Sequence, residues 1–188
     1  MSPLSRNTRR RADPPQRSWA LGAMLALSLA SGTALAGGGG QFVFTAYVDA
    51  VGGGDILAGR YRIALSELKN RPDAVAANPS TANTNLCVAY SMTLQWQEAR
   101  AECDAAVRAA RRRQRMSAGW SWAHTSDDDY LAVAYANRAV LYWLSRDDAA
   151  AQKDLARAQE LSPRADFVAR NVVALGAHRA PALATTSR

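Results

Sequence analysis

This sequence predicts an all-α fold of stacked helix pairs, and three observations carry the prediction. Residues 98–115 (EARAECDAAVRAARRRQR) and 127–144 contain neither glycine nor proline, and both stretches favour helix. A pattern then returns along the chain: Asn85-Leu86-Cys87-Val88-Ala89-Tyr90 followed by Trp96-Gln97-Glu98-Ala99, and later Asn137-Arg138-Ala139-Val140-Leu141-Tyr142 followed by Ala149-Ala150-Ala151. Matching positions hold like residues, Tyr90 with Tyr142, Ala99 with Ala151 and Ala106 with Ala158. Small side chains at such positions let two helix backbones approach closely, while Tyr, Leu and Ala fill the space that is left.

With 188 residues, 48% hydrophobic and 21% charged, the chain is one ordinary domain's worth, long enough to bury a core. Its 23 Lys and Arg against 16 Asp and Glu give a net charge of +7, but residues 1–36 hold five arginines and one aspartate. They account for +4 and leave +3 for the remainder, so nucleic acid is not the partner expected. Two cysteines, two histidines and no phosphate-binding loop leave no basis for a metal, a nucleotide or any other cofactor.

The N-terminal 36 residues read as an address. Arg6, Arg9, Arg10, Arg11 and Arg17 precede an apolar run at 20–30, and Ala34-Leu35-Ala36 closes it, the order of a secretory signal peptide cleaved after Ala36. The run is much shorter than the roughly 20 residues that cross a bilayer, so no membrane span is expected after cleavage. Ala12-Asp13-Pro14-Pro15 after the arginines disfavours a twin-arginine route, and no cysteine near the cleavage site suggests a lipid anchor. A periplasmic or secreted bacterial protein is the expectation. Residues 37–54 then form a lead-in: Gly37 to Gly40 read as flexible, and 41–48 (QFVFTAYV) as an extended segment or a frayed helix ending at Gly52-Gly53-Gly54.

On these residues the chain resembles the tetratricopeptide repeat family. The second copy supplies Tyr135, Ala139 in the glycine slot, Tyr142, Ala151, Leu155 in the aromatic slot, Ala158 and a closing Pro163; only Arg138 stands where the family has Leu. The first copy supplies Leu86, Cys87 in the small slot, Tyr90, Ala99, Cys103 in the aromatic slot and Ala106. Gly59-Arg60-Tyr61, Ala64 and Leu68 resemble the turn and second helix of a third unit, Ala64 preceding Ala99 by 35 positions against a family period of 34. The resemblance implies a short right-handed superhelix of antiparallel helix pairs. It divides the domain 55–176 into a half repeat (55–79), repeats at 80–116 and 126–163, and a capping helix at 165–176 with Phe167, Val168, Val172, Val173 and Leu175 as its apolar face. Gly176 would end that helix, and 177–188 would be a disordered tail.

Ala151 follows Ala99 by 52 positions, 18 beyond the family period, and the helix-favouring sequence on both sides predicts that this insertion lengthens two helices. Ser126 with Asp129 resembles a capping box. Arg111, Arg112, Arg113 and Arg115 then end one helix and Asp127, Asp128 and Asp129 begin the next, where each cluster suits its helix dipole and the hairpin brings them together. A polyanion-binding patch is the competing use of the arginines. Trp120 and Trp122 lie between, to pack over the hairpin end or to form a contact surface.

In the family resembled, the slots of Cys87 and Cys103 face each other across the helix pair, which in an oxidising compartment implies a disulfide. Two reduced core thiols are the alternative, and a redox-active pair lacks its Cys-x-x-Cys spacing.

The resemblance further implies a binding scaffold, first helices lining a concave groove for a peptide or protein partner in the cell envelope. The matching stripe is Thr84, Asn85, Val88 and Met92 on one helix and Ala136, Asn137, Val140 and Leu144 on the next. An asparagine there both donates to and accepts from a bound main chain, although the stripe could instead be covered by the chain's own N-terminal segment. A structural subunit of an envelope assembly is the second reading. An enzyme is not expected, since neither His124 nor His178 has a nucleophile and carboxylate suggested beside it.

Overall fold

Prolines, glycines and left-handed residues set the helix boundaries of this chain. The computed structural model describes residues 41–117 and 124–179, all within one of the chain's two units, Gly37–Arg188. The leader at 1–36, Gly37 to Gly40, Trp120, Trp122 and residues 180–188 lie outside the described residues. Among the described residues there are eight α-helices and no strand: α1 (Gly53–Leu57), α2 (Tyr61–Asn70), α3 (Pro72–Ala77), α4 (Pro79–Met92), α5 (Trp96–Ser117), α6 (His124–Leu144), α7 (Asp148–Leu161) and α8 (Asp166–Arg179). Pro72 and Pro79 open α3 and α4, where a missing N–H costs nothing. Asp147 caps α7 by accepting from the Ala150 N–H at 3.1 Å.

The expected lengthening of two helices is found in α5 and α6, of 22 and 21 residues. Three local expectations differ. α6 begins at His124, so Ser126 sits inside the helix rather than at its cap. α8 continues through Gly176 to Arg179, past the proposed start of the tail. Val173 is exposed, so the buried face of α8 is carried by Val168, Ala174 and Leu175 instead.

Three turns share one geometry. Gly59, Leu94 and Arg146 each adopt a left-handed backbone (φ 72°, 60° and 65°). In each turn the next N–H bonds the carbonyl five residues back: Arg60 to Asp55 at 2.7 Å, Gln95 to Tyr90 at 3.0 Å, Asp147 to Tyr142 at 2.9 Å. Only glycine adopts this conformation freely, so Leu94 and Arg146 are held there by the hairpins they close. Each hairpin also brings together a small residue of its first helix region and the residue 16 positions on. A Cβ on Gly52 would meet Leu68 Cδ1 at 3.0 Å, Cys87 is bonded to Cys103, and Ala139 and Leu155 share one buried cluster. The α1–α2 hairpin is thus a third copy whose first helix is cut to five residues.

Helices pair in order, α4 with α5, α5 with α6 and α6 with α7, while α4 also touches α6, and α6 touches α8. Two apolar clusters result. One gathers α1, α2, α4 and the start of α5 around Leu68, Val88 and the cysteines. The other gathers the far half of α5 with α6, α7 and α8 around Val107, Tyr135, Leu155 and Val168. Arg138, the departure from the repeat pattern, ties three helices together, donating to Asp154 on α7 at 2.6 and 2.9 Å and to Asp104 on α5 at 2.7 Å.

The expected meeting of the arginine and aspartate clusters is found in part, in the Arg113–Asp127 pair. Arg113 donates to Asp127 at 2.5 Å and lies over the Tyr130 ring, Gln114 donates to Asp128 at 2.6 Å, and Arg111 donates to the Tyr135 hydroxyl.

The cysteines form a disulfide with an S–S distance of 2.00 Å. Replacing both by alanine should lower stability by about 3 kcal/mol, the chain-entropy value for a loop of this size, read as a fall in the urea midpoint. An unreduced protein with two free thiols by intact mass would contradict the bridge.

Candidate functional site

The first helices of two successive hairpins, α4 and α6, and the last described helix, α8, each present one asparagine, and all three side chains are fully buried: Asn85, Asn137 and Asn171. Residues 41–47 carry no helix and cross all three, which removes the frayed-helix reading of this segment. Asn171 Oδ1 accepts the Val43 N–H at 2.7 Å, while its Nδ2 donates to the Val43 carbonyl at 3.0 Å. Asn137 does the same for Thr45 at 2.8 and 2.7 Å. Asn85 does so for Tyr47 at 2.9 and 3.0 Å, and its amide also donates to the Val51 carbonyl at 3.0 Å. A main-chain N–H can only donate and a carbonyl only accept, so each amide has one orientation that satisfies both.

The paired residues are two apart, the period of an extended strand. Each uses both its N–H and its C=O on one side-chain amide, as it would on a neighbouring strand in an antiparallel ladder. Between the rungs lie the strand's apolar residues. Phe44 and Ala46 pack on the first cluster, and Phe42 packs on the second, its ring 4.3 Å from that of Trp143. At the other end the Tyr47 ring stacks on Tyr130 at 4.9 Å. The Tyr47 hydroxyl is buried with no hydrogen-bond partner. Burial, and secondarily Tyr130, push its phenol far above the usual range, against a lowering by Arg113.

The stripe expected to meet a partner divides under this strand. Asn85 and Asn137 hold the strand's main chain. Thr84, Val88, Ala136 and Val140 are buried, and the Thr84 hydroxyl bonds its own helix at the Ser80 carbonyl, 2.8 Å away. Met92 and Leu144 remain exposed, at 42% and 38%. Met92 lines an open cavity of about 470 Å³ with Tyr61, Ile63 and Leu94. Asn171 was not in the expected set, yet it had a signal: it follows Asn137 by 34 positions, one family period.

The geometry suits recognition of extended main chain. Among the described residues no group of His, Cys, Asp and Glu could hold a metal ion, and no helix is long and apolar enough to cross a membrane. No family model, no curated protein and no solved structure matches the chain.

Asn137→Ala removes the partners of both the Thr45 N–H and the Thr45 carbonyl. Each buried polar group left unsatisfied costs about 1–3 kcal/mol, so a loss of at least about 2 kcal/mol is expected unless the strand lifts into water. Either way, hydrogen exchange of the Thr45 amide should rise sharply, and an unchanged rate would contradict the ladder.

Tyr47→Phe should leave stability equal or higher at neutral pH, since it deletes an unpartnered hydroxyl. In the native chain the stability gained by keeping this phenol neutral is complete below the unfolded value of about 10 and is lost as pH rises past it. Urea midpoints between pH 8 and 11.5 should therefore fall more steeply for the native chain than for the phenylalanine variant.

Proposed function

We propose that the chain is an exported scaffold of the tetratricopeptide-repeat type, a short right-handed superhelix whose concave face binds a protein or peptide partner in the bacterial envelope. The observation that carries this reading is the ladder of Asn85, Asn137 and Asn171 holding main chain at alternate residues. Three like-turned hairpins and the 34-residue step from Asn137 to Asn171 support the repeat assignment. The disulfide and the absence, among the described residues, of a helix able to span a bilayer are compatible with export. Recognition through main chain fits an adaptor, because it demands an extended backbone and little of the side chains.

A structural subunit is the second reading, and the exposed apolar edge formed by Ile63, Met92 and Leu94 favours it. Polyanion binding is weakened by the use of Arg111 and Arg113 inside the hairpin.

The test is a photoreactive amino acid placed in turn at Met92 and Leu144, the open ends of the stripe, in protein exported by its native host. A discrete crosslinked polypeptide at either position is expected. Absence of any crosslinked polypeptide at both positions, with the protein folded and exported, would remove the adaptor reading.

A further inference from the structure

The strand in the groove is fastened unequally at its two ends. At Tyr47 the hold is threefold. Asn85 makes three hydrogen bonds to the 47–51 turn, the turn closes on itself through Ala50 N–H to the Tyr47 carbonyl at 3.2 Å and Gly53 N–H to Ala50 at 2.9 Å, and α1 follows at once. Gly53 lies so close that a Cβ there would sit 1.9 Å from the Tyr47 carbonyl oxygen. At Val43 the main chain is held by one asparagine on α8, beside the Phe42 ring packed on Trp143, and α8, the last described helix, packs only on α6 and α7 among the helices. Each rung is an independent amide–peptide pair, so a strand can leave rung by rung from the α8 end while Tyr47 stays in place.

We propose that the groove takes up an extended strand of a second protein by exchange at this end, the incoming backbone pairing with Asn171 and Asn137 while the chain's own strand remains on Asn85. This rests on the scaffold reading above and adds the site, its order of opening and the chemistry of the occupant. The built-in strand states that chemistry: free N–H groups at two residues two apart, hence no proline at either, and an aromatic residue just before the one on Asn171, to take the place of Phe42 against Trp143. Exchange proceeds without a fully empty intermediate, because each amide released by the resident strand is taken by the incoming one. A partner strand with no groove of its own fits better than a second copy of this chain, since a second copy must first leave an equally well-made groove. The resident strand is tethered and competes at an effective concentration of about millimolar, so weakening its α8 end exposes the site.

The experiment uses the full chain and a blocked peptide with the sequence of residues 41–46. Val43→Pro removes the N–H that Asn171 accepts, and it leaves the preceding residue in the extended region that proline favours. The peptide should bind the V43P chain about tenfold or more tighter than the native chain, and adding Asn171→Ala should abolish that gain. Equal affinity for the native and V43P chains, or a gain indifferent to Asn171→Ala, would overturn the proposal. Should V43P fail to fold, hydrogen exchange in the native chain decides: the Val43 and Thr45 amides must exchange faster than that of Tyr47, and the reverse order excludes opening from α8. Self-association of the native chain that V43P removes would place a second copy in the groove and overturn the partner assignment. Loss of the exchange result with the Met92 and Leu144 crosslinks intact leaves the scaffold reading standing, and the converse outcome removes that reading alone.

Discussion

Everything about the strand at 41–47 depends on one pairing, a side-chain amide against the N–H and C=O of a single residue. A strand that lies across helices has no ladder to satisfy its N–H and C=O groups, and burying them unpaired would cost more than its apolar side chains return. Asparagine resolves this because it carries a donor and an acceptor on one short, planar group. Phe42, Phe44 and Ala46 can close over the two apolar clusters only because Val43, Thr45 and Tyr47 are matched rung by rung. The repeat supplies the rest, since equivalent positions on α4, α6 and α8 bring three such amides into line.

The lengthened middle of the molecule raises a second constraint. α5 and α6 span both apolar clusters, and an inserted pair of turns could slide by a helical step without a marker to fix it. Arg138 is that marker, a largely buried guanidinium whose hydrogen bonds reach α5 and α7 at once. Such a buried network adds little net stability, but any register that separates its members leaves a charge uncompensated. The Arg113–Asp127 and Gln114–Asp128 contacts fix the far end of the same hairpin.

Much of the fold was legible because repetition is a strong signal. The Ala64, Ala99 and Ala151 series followed from co-registered positions, the Cys87–Cys103 pairing from the family resemblance, and the two long helices α5 and α6 from stretches without glycine or proline. Local terminators were less legible. Gly176 has open space around it and sits within α8, and α6 begins two residues before Ser126, because the preference of a single residue does not by itself fix a helix end. The site was half legible. Asn85 and Asn137 stood out within long matches, whereas Asn171 lay in a helix with few other matching positions. The strand itself carries no pattern that names its destination: its partners are 38, 92 and 128 positions away, and alternation over seven residues says only that a segment is extended.

Val43 meets Asn171, 128 positions further along the chain, so the strand is secured by a helix that follows every described hairpin. During vectorial synthesis the early hairpins can assemble as they emerge, each on its predecessor. The beginning of the strand has no such opportunity, because its anchor is delivered at the end. The strand is therefore fastened last at Val43, and a chain interrupted before α8 would carry a partly unfastened apolar ribbon, a built-in mark of incompleteness.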